Sequence, residues 1–294
     1  MSLTSLLNNK DVKKRFLEEF PTPKLKLEGK ILAPPYTNHY SLVGTAFDYL
    51  MRFYLKKLNP NAVTQKWVAE AAVSIAEKAF NIVQGVTLTD KVNSIIAEAK
   101  NNYKDYLKTG KMDEALMRSA VKLAQVDAIY RAKYVDENMG LVEDKDIEDL
   151  KKLISLVDPK LFKAKSVCML NPTFGEASCL VGGADADLII DNRLVDIKTT
   201  KELKLERKDL NQIIGYYILY KINGIDNAPT TIDIDRIGIY SSRYGQLFTL
   251  PIKEIIDEKN LPKFIKWFKE RASQESSGIS EDCMRTRGTG KKKE

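Results

Sequence analysis

The first half of the chain repeats apolar side chains at helical spacing. Within residues 40–157, apolar residues recur at intervals of three or four positions. The clearest runs are Tyr49, Phe53 and Leu58, then Val68, Ala72, Ile75, Ala79 and Ile82, then Leu116, Leu123, Val126 and Ile129. Turn-forming residues at Asn59-Pro60, at Gly85 and at Thr109-Gly110 divide the region. The pattern predicts a series of amphipathic helices.

From residue 165 onward the pattern changes to short β-rich runs. These runs cover residues 165–170, 178–190, 193–199, 231–240 and 246–250. Helical spacing returns at residues 206–222 and again in a closing stretch through Phe264 and Phe268. We therefore expect an α/β fold, with a large helical segment before the sheet. The polar, basic end of the chain, residues 273–294, is expected to be a disordered tail.

Acidic residues stand in the β-rich part where a buried strand should be apolar. Asp191-Asn192 has the residue types of a two-residue hairpin turn, so Ile190 should pair with Arg193. Counting outward places Asp187 opposite Asp196. Two positions further on, Asp185 lies opposite Lys198. Strand alternation then gives one charged face, made of Asp185, Asp187, Asp196 and Lys198. The other face is apolar, made of Ala184, Ala186, Leu188, Val195 and Ile197.

Three carboxylates on one small patch repel one another unless a cation compensates them. A single lysine cannot neutralise three, whereas Mg²⁺ prefers oxygen ligands of this kind. The alternative is a hairpin whose charges face water. The triplet Asp-x-Lys by itself carries little information, because it also starts at Asp11, Asp149, Asp158 and Asp257. Only the copy at Asp196 lies in a β-rich run with further aspartates in matching register, which favours a metal site.

Composition narrows the class of protein. With 294 residues, 44% of them hydrophobic, the chain is long enough to bury a large core. The longest apolar runs, such as residues 215–220, are too short to cross a bilayer, and the N-terminus lacks a signal core, so we expect a cytoplasmic protein that binds no membrane. Cys168, Cys179 and Cys283 are too scattered for an iron–sulfur cluster. The net charge of +7 suits a polyanionic partner.

Three motifs occur in a characteristic order. They are Gly182-Gly183-Ala184-Asp185, Asp196-Ile197-Lys198 and Gln212-Ile213-Ile214-Gly215-Tyr216. In this order the chain resembles the RecB-like, or lambda-exonuclease-like, branch of the PD-(D/E)XK nuclease superfamily. The resemblance implies a restriction-endonuclease-like core at residues 165–272, with a mixed central sheet between helices. It also implies that the segment 1–164 contributes one helix, at about residues 40–57, to that core.

The same branch often carries a Gly-x-x-x-His element upstream. Here Gly44 is followed four residues later by Asp48, a carboxylate in place of the histidine. Asp48 can bind Mg²⁺ in that role or simply face water on a helix surface. The single histidine, His39, is out of register with the element, and we interpret it as structural.

The resemblance further implies a nuclease that uses Mg²⁺ or Mn²⁺ to hydrolyse DNA and leave a 5′-phosphate. Asp185, Asp196 and the backbone carbonyl of Ile197 would bind the metal, and Lys198 would position or help to deprotonate the attacking water. Asp187 is the second candidate for the upstream ligand, because the hairpin register favours it over Asp185. A bulge near Gly183 could reconcile the two. Glu176 could add a carboxylate or be an exposed loop residue.

Gln212 and Tyr216 share one face of the predicted helix 206–222, which the resemblance places against the nucleic acid. Without the resemblance, Tyr216 would be interpreted as an ordinary packing residue. Four basic residues near the same helix could contact phosphates or form a solvated surface: Lys201, Lys204, Arg207 and Lys208. Exonuclease and endonuclease remain alternatives, as does a nuclease-like module that binds DNA or a protein partner without cutting. A metal-dependent phosphohydrolase of small phosphate esters is the other rival.

Overall fold

A six-stranded sheet between two groups of helices organises the fold. The computed structural model describes residues 2–23, 27–79 and 82–276. The helices are α1 (Leu3–Leu7), α2 (Lys10–Glu19), α3 (Tyr40–Leu58), α4 (Val68–Ala76), α5 (Leu88–Thr109), α6 (Glu114–Ala132), α7 (Asp144–Ser155), α8 (Pro159–Phe162), α9 (Glu176–Leu180), α10 (Arg207–Asn223) and α11 (Leu261–Ser276). The strands are β1 (Val63–Thr64), β2 (Ile82–Val83), β3 (Val86–Thr87), β4 (Cys168–Leu170), β5 (Leu188–Ile190), β6 (Arg193–Lys198), β7 (Arg236–Ser241) and β8 (Gln246–Pro251).

The sheet is mixed, with strand order β1-β4-β5-β6-β7-β8. Strand β1 is parallel to β4, and β6 is parallel to β7, while the other neighbours are antiparallel. Helix α10 provides the crossover between the parallel strands β6 and β7. The predicted α/β fold, a mixed sheet flanked by helices, is confirmed.

Apolar side chains cover both faces of the sheet, as a sheet between two helical layers requires. Leu188 and Val195 belong to a core built with α3 to α8. Ile189 and Leu194, the alternate residues of the same strands, belong to a second core built with α1, α2, α9, α10 and α11. Because α1 and α2 pack into this second core, the N-terminal segment reaches both faces of the sheet. No helix of the described residues combines the length and apolar character needed to span a bilayer.

The predicted helices of residues 40–157 correspond to α3, α4, α5, α6 and α7, and the predicted turns separate the first four of them. The run predicted through Ala79 and Ile82 is wrong at its end, because α4 stops at Ala76 and Ile82 lies in β2. The strands β1 to β3 inside this region were missed. Each contains only two residues, which is too few to show a repeating pattern.

The predicted strand at residues 178–190 is wrong over most of its length. Residues Glu176–Leu180 form the short helix α9, and the chain then turns through Gly182 and Gly183, both with positive φ. Only Leu188–Ile190 is a strand. At the other end, α11 continues to Ser276, so the first residues of the predicted tail are helical. Residues 277–294 lie outside the described residues.

The hairpin turn and its register are confirmed next to the turn. Asp191 has φ +53°, and Ile190 pairs with Arg193. Beyond Leu188 the chain leaves β6, and Asp185 instead forms a bridge with Thr173. The predicted pairing of Asp185 with Lys198 is therefore wrong.

The face predicted for two small residues of the hairpin is wrong as well. Ala184 and Ala186 pack in the second core with Leu194, not on the face of Leu188. The bulge was predicted near Gly183, but the irregular pairing extends to residues after it. One example is the hydrogen bond that the Ala186 N–H donates to the Pro172 carbonyl.

The turn residue Asp191 stabilises the hairpin through its charge. Its Oδ1 accepts hydrogen bonds from the N–H groups of Ser166 (2.8 Å) and Val167 (3.2 Å). Burial alone would raise the pKa of Asp191, but these backbone donors and that of Lys165 lower it overall. The charged form is therefore the one that stabilises the fold.

We expect Asp191→Asn to lower the free energy of unfolding at pH 7 by about 2 kcal/mol, the usual worth of hydrogen bonds to a charged group. Asparagine tolerates the positive φ, so the change isolates the charge. Since the folded pKa lies below the unfolded one, the stabilisation is complete above about pH 4 and is lost as the pH falls through the folded value. Urea titrations at several pH values measure this. The exposed Asp233→Asn is the control; equal pH profiles for wild type and Asp191→Asn would contradict the prediction.

Candidate functional site

Carboxylates from three parts of the chain meet beside strand β6. The Nζ atom of Lys198 lies 2.8 Å from Asp196 Oδ2, so these two residues share a face as predicted. Asp187, in the loop before β5, reaches the same strand, because its Oδ2 accepts a hydrogen bond of 2.6 Å from the Ile197 N–H. The charge of Asp48, on α3, acts on the carboxyl groups of both Asp187 and Asp196. Asp187 and Asp196 thus lie beside the same strand, and Asp48 is near enough for its charge to act on both.

The close approach of α3 to β6 explains how Asp48 arrives there. A Cβ atom added to Gly44 would lie 3.8 Å from the Cβ of Thr199, the residue after β6. Asp48 follows Gly44 by about one helical turn and so projects from the same side of α3. Gly44 and Asp48 are therefore adjacent to the end of the strand that carries Asp196 and Lys198.

Helix α10 supplies the other partners of Lys198. Its Nζ donates to Gln212 Oε1 at 2.8 Å and lies 3.5 Å from Asp209 Oδ1. Gln212 Nε2 in turn donates to the hydroxyl of Tyr216 at 3.1 Å. Asp209 was missed in the sequence, although it precedes Gln212 by three residues and so shares its face of the helix.

The role expected of Gln212 and Tyr216 changes with this geometry. Tyr216 is only 6% exposed and stacks near Phe174, with ring centroids 6.1 Å apart. Gln212 links it to Lys198. Gln212 therefore holds the lysine in place, and Tyr216 holds Gln212. The burial of Tyr216 disagrees with the expectation that it faces the nucleic acid, whereas a contact of the half-buried Gln212 with nucleic acid stays a prediction.

Burial and mutual repulsion dominate the electrostatics of the site. Burial raises the pKa of Asp187, and the nearby charges of Asp196 and Asp48 raise it further. Burial also raises the pKa of Asp196, although Lys198 partly opposes this. For Lys198, burial lowers the pKa, but the surrounding carboxylates outweigh it and keep the ammonium charged. Without a further cation, the carboxyl groups would tend to take up protons.

Two carboxylate oxygens at the site lack hydrogen bonds among the described residues. They are Asp48 Oδ1 and Asp196 Oδ2, both buried. Asp48 Oδ2 is paired with Arg52 Nη2 at 2.5 Å, and Asp196 Oδ2 has the Lys198 ammonium at 2.8 Å but outside hydrogen-bonding geometry. The ammonium thus compensates Asp196 Oδ2, whereas the buried Asp48 Oδ1 has no donor among the described residues. That costs about 1–3 kcal/mol, so an additional cation would be favourable beside Asp48.

Oxygen donors of this kind fit a hard divalent cation such as Mg²⁺ or Mn²⁺. Among the described residues, however, no three His, Cys, Asp or Glu side chains are already arranged as a ligand cage. Lys198 sits against Asp196, and the Ile197 N–H holds Asp187. Binding an ion therefore requires these side chains to shift.

Asp185 does not join the carboxylates on β6. Its Oδ2 accepts a hydrogen bond of 2.8 Å from Arg131 Nη2, on α6. The geometry thus favours Asp187 over Asp185 as the upstream partner of Asp196, the reverse of the preference drawn from the glycine spacing. Glu176 is exposed in the first turn of α9, as the interpretation of it as an exposed residue expected.

The predicted basic residues differ in how far their charges are engaged. Lys201 Nζ donates to the Tyr40 hydroxyl at 2.9 Å and remains exposed. Lys204 and Lys208 both pair with Glu206. These three lysines stay candidate phosphate contacts.

Arg207 is fixed inside the fold. Its guanidinium donates to the carbonyls of Phe16 (2.6 Å) and Phe20 (2.7 Å), at the end of α2. We therefore remove it from the phosphate contacts. His39 hydrogen-bonds the buried carboxylate of Asp146 at 3.0 Å, in keeping with a structural role.

A polar cavity of about 630 Å³ lies at the hairpin turn, away from these residues. Its lining includes Lys165, Asp191 and Arg193, but not Asp48, Asp187, Asp196 or Lys198. This cavity is therefore separate from the carboxylates beside β6. Comparisons of the chain with family models, with curated proteins and with solved structures found no match.

Proposed function

We propose that this chain is a metal-dependent nuclease that hydrolyses the phosphodiester bonds of DNA on a restriction-endonuclease-like core of the PD-(D/E)XK type. One observation carries the proposal. Asp48, Asp187, Asp196 and Lys198, which are separated by up to 150 positions in the sequence, converge with Gln212 at the end of β6. Convergence of acidic residues and one lysine is what metal-assisted phosphoryl chemistry requires.

The charge balance of the site supports a bound cation. Lys198 pairs with Asp196 at 2.8 Å and lies 3.5 Å from Asp209, so one ammonium serves two carboxylates. Asp187 accepts a hydrogen bond from the Ile197 N–H, and the charges of Asp196 and Asp48 raise its pKa. Mg²⁺ or Mn²⁺ would relieve this repulsion between partly buried carboxylates.

Asp48, Asp187, Asp196 and the carbonyl of Ile197 would hold the metal, which when bound supplies electrophilic activation of the phosphodiester. Lys198 stays charged beside Asp196 and Asp209, so its contribution is to stabilise negative charge developing on the phosphate and to orient the attacking water. Gln212 keeps the Lys198 ammonium in this position.

Metal removal is the test of this function. We expect the wild-type protein to cut DNA in Mg²⁺ or Mn²⁺, to lose activity in EDTA and to regain it when metal is restored. Because the pKa values of Asp187 and Asp196 are raised, protons compete with the metal, so the Mg²⁺ concentration for half-maximal rate should rise as the pH falls from about 8 to about 6. Linear and circular, single- and double-stranded DNA, together with RNA, are the substrates.

The outcomes separate the alternatives. Cleavage of circular DNA would assign endonuclease activity, and cleavage of linear DNA alone would assign exonuclease activity. Binding of DNA without cleavage under any condition would contradict the proposal and support a binding module. Hydrolysis of small phosphate esters alone would support a phosphohydrolase.

A further inference from the structure

Arg131, near the C-terminal end of α6, is held between two carboxylates. Its Nε donates to Asp127 Oδ1 at 2.7 Å, and its Nη2 donates to Asp185 Oδ2 at 2.8 Å. Asp127 lies on α6 itself, whereas Asp185 lies in the loop before β5. The guanidinium is therefore fixed from two different parts of the fold.

Asp127 is itself anchored in the core. It is 2% exposed, and its Oδ2 accepts a hydrogen bond of 2.9 Å from the hydroxyl of Tyr49 on α3. The Tyr49 oxygen also accepts the N–H of Ala69, at the start of α4. A chain of hydrogen bonds thus runs from the core to Arg131, and a group held in this way loses little freedom on binding a ligand.

Much of the guanidinium is still available for a ligand. The side chain of Arg131 is 49% exposed. Of its five N–H groups, Asp127 and Asp185 use two, and no other acceptor contacts it among the described residues. The three remaining N–H groups include both of Nη1, so the guanidinium can still donate more than one hydrogen bond. Free guanidinium N–H groups match the oxygens of a phosphate.

Arg131 lies near the acidic residues beside β6. Asp185 precedes Asp187 by two residues, and the charge of Asp48 also acts on Arg131. We propose that Arg131 binds a backbone phosphate of the substrate, and that Asp185 orients Arg131 and does not bind the metal. This inference rests on the proposed nuclease function. Asp185 is then a positioning residue and Arg131 a binding residue.

The alternative for Asp185 is the ligand role implied by the sequence motif. As a ligand, Asp185 would have to release Arg131, leaving the buried Asp127 as the only carboxylate paired with that arginine. Within the described part of the chain, Asp187 has no such partner on α6, and its Oδ2 accepts a hydrogen bond from the Ile197 N–H instead. We therefore expect replacement of Asp185 and replacement of Asp187 to affect metal dependence differently, and the two variants form a matched pair for the test.

The first experiment compares Arg131→Ala, Arg131→Lys and wild type in steady-state cleavage of DNA in Mg²⁺. Arg131→Ala should raise KM about tenfold and lower kcat less. In the cleavage-deficient Lys198→Met background, it should reduce the slope of log affinity against log salt by about 0.7–0.9, equivalent to one phosphate contact. The KM and the salt slope of Arg131→Lys should lie between those of wild type and Arg131→Ala, because lysine keeps the charge but lacks the planar set of N–H groups of arginine. The lysine variant also guards against misfolding of the alanine variant. Lys122→Ala, on the same helix, is the control and should leave KM and slope unchanged.

The second experiment measures the Mg²⁺ concentration for half-maximal cleavage in Asp185→Asn and Asp187→Asn. We expect less than a twofold change for Asp185→Asn and more than a tenfold rise for Asp187→Asn. An equal rise in both variants would overturn the assignment of Asp185. Unchanged KM and salt slope in Arg131→Ala would overturn the phosphate contact.

Failure of the proposed function gives a different result. If the wild type binds DNA but never cuts it, the nuclease proposal fails, whereas the salt slope of Arg131→Ala still decides the phosphate contact. If the wild type neither binds nor cuts nucleic acid, both proposals are overturned.

Discussion

Lys198→Met should lower the rate of DNA cleavage by about 10²- to 10³-fold, the usual effect of removing one donor that stabilises transition-state charge. Methionine keeps the length of the side chain and removes the ammonium. Asp196 and Asp209 would then lose the cation that lies 2.8 Å and 3.5 Å away. Single-turnover cleavage in saturating Mg²⁺ measures the loss on the chemical step.

The size and kind of the effect distinguish a catalytic from a structural role. Lys198→Arg retains the charge but changes its geometry at Gln212, so we expect an intermediate rate. Lys108→Met is the control, because Lys108 is exposed at the end of α5 and pairs with the exposed Asp105. Both should cut more rapidly than Lys198→Met at temperatures well below their Tm. A Lys198→Met protein that keeps more than a tenth of the wild-type rate would remove Lys198 from the proposed mechanism.

The part of this site that the sequence predicted depends on regular elements. Asp196 and Lys198 alternate along β6, and the turn at Asp191 fixes their register with β5. Side-chain period and turn chemistry are local properties, so they can be inferred from neighbouring residues. For the same reason, α10 was predicted to within one residue at each end.

The part that the sequence did not predict depends on where regular structure stops. Counting outward from the turn placed Asp185 opposite Lys198, but β5 begins only at Leu188. Before it, the chain pairs with residues 171–173, which turns Asp185 toward Arg131. The partner Arg131 lies 54 positions away on α6, and no local pattern relates the two.

In the helical segment, Asp149 is a second carboxylate whose role could not be predicted from the sequence. Asp149 begins one of the Asp-x-Lys triplets that carry no information by sequence alone. In the structure it is fully buried on α7 and pairs with the buried Arg243, which follows β7. The role of Asp149 depends on a residue 94 positions away, so neither the spacing of apolar residues nor a local motif indicates that role.

The Asp149–Arg243 pair joins three segments of the fold. Both contacts are short, Nη1 to Oδ1 at 2.8 Å and Nη2 to Oδ2 at 3.0 Å, which is the two-point geometry of a strong ion pair. Nη1 also donates to the Ala33 carbonyl at 2.9 Å. The Arg243 carbonyl accepts the N–H groups of Leu32 and Ala33 in return. The segment before α3 is thereby attached to α7 and to the end of β7.

We expect Asp149→Ala to lower the free energy of unfolding by about 3–5 kcal/mol, because it leaves a buried guanidinium without its counter-ion. The loss comes from the unpaired charge and not from the pair as such. The double variant Asp149→Leu with Arg243→Met should therefore recover most of the stability, to within about 1 kcal/mol of wild type. Glu98→Ala, which breaks an exposed pair with Lys122, is the control and should change stability by less than about 1 kcal/mol. Urea denaturation followed by circular dichroism measures all three. If Asp149→Ala were no less stable than Glu98→Ala, or if the double variant were as unstable as the single one, the buried charge would not be the cause.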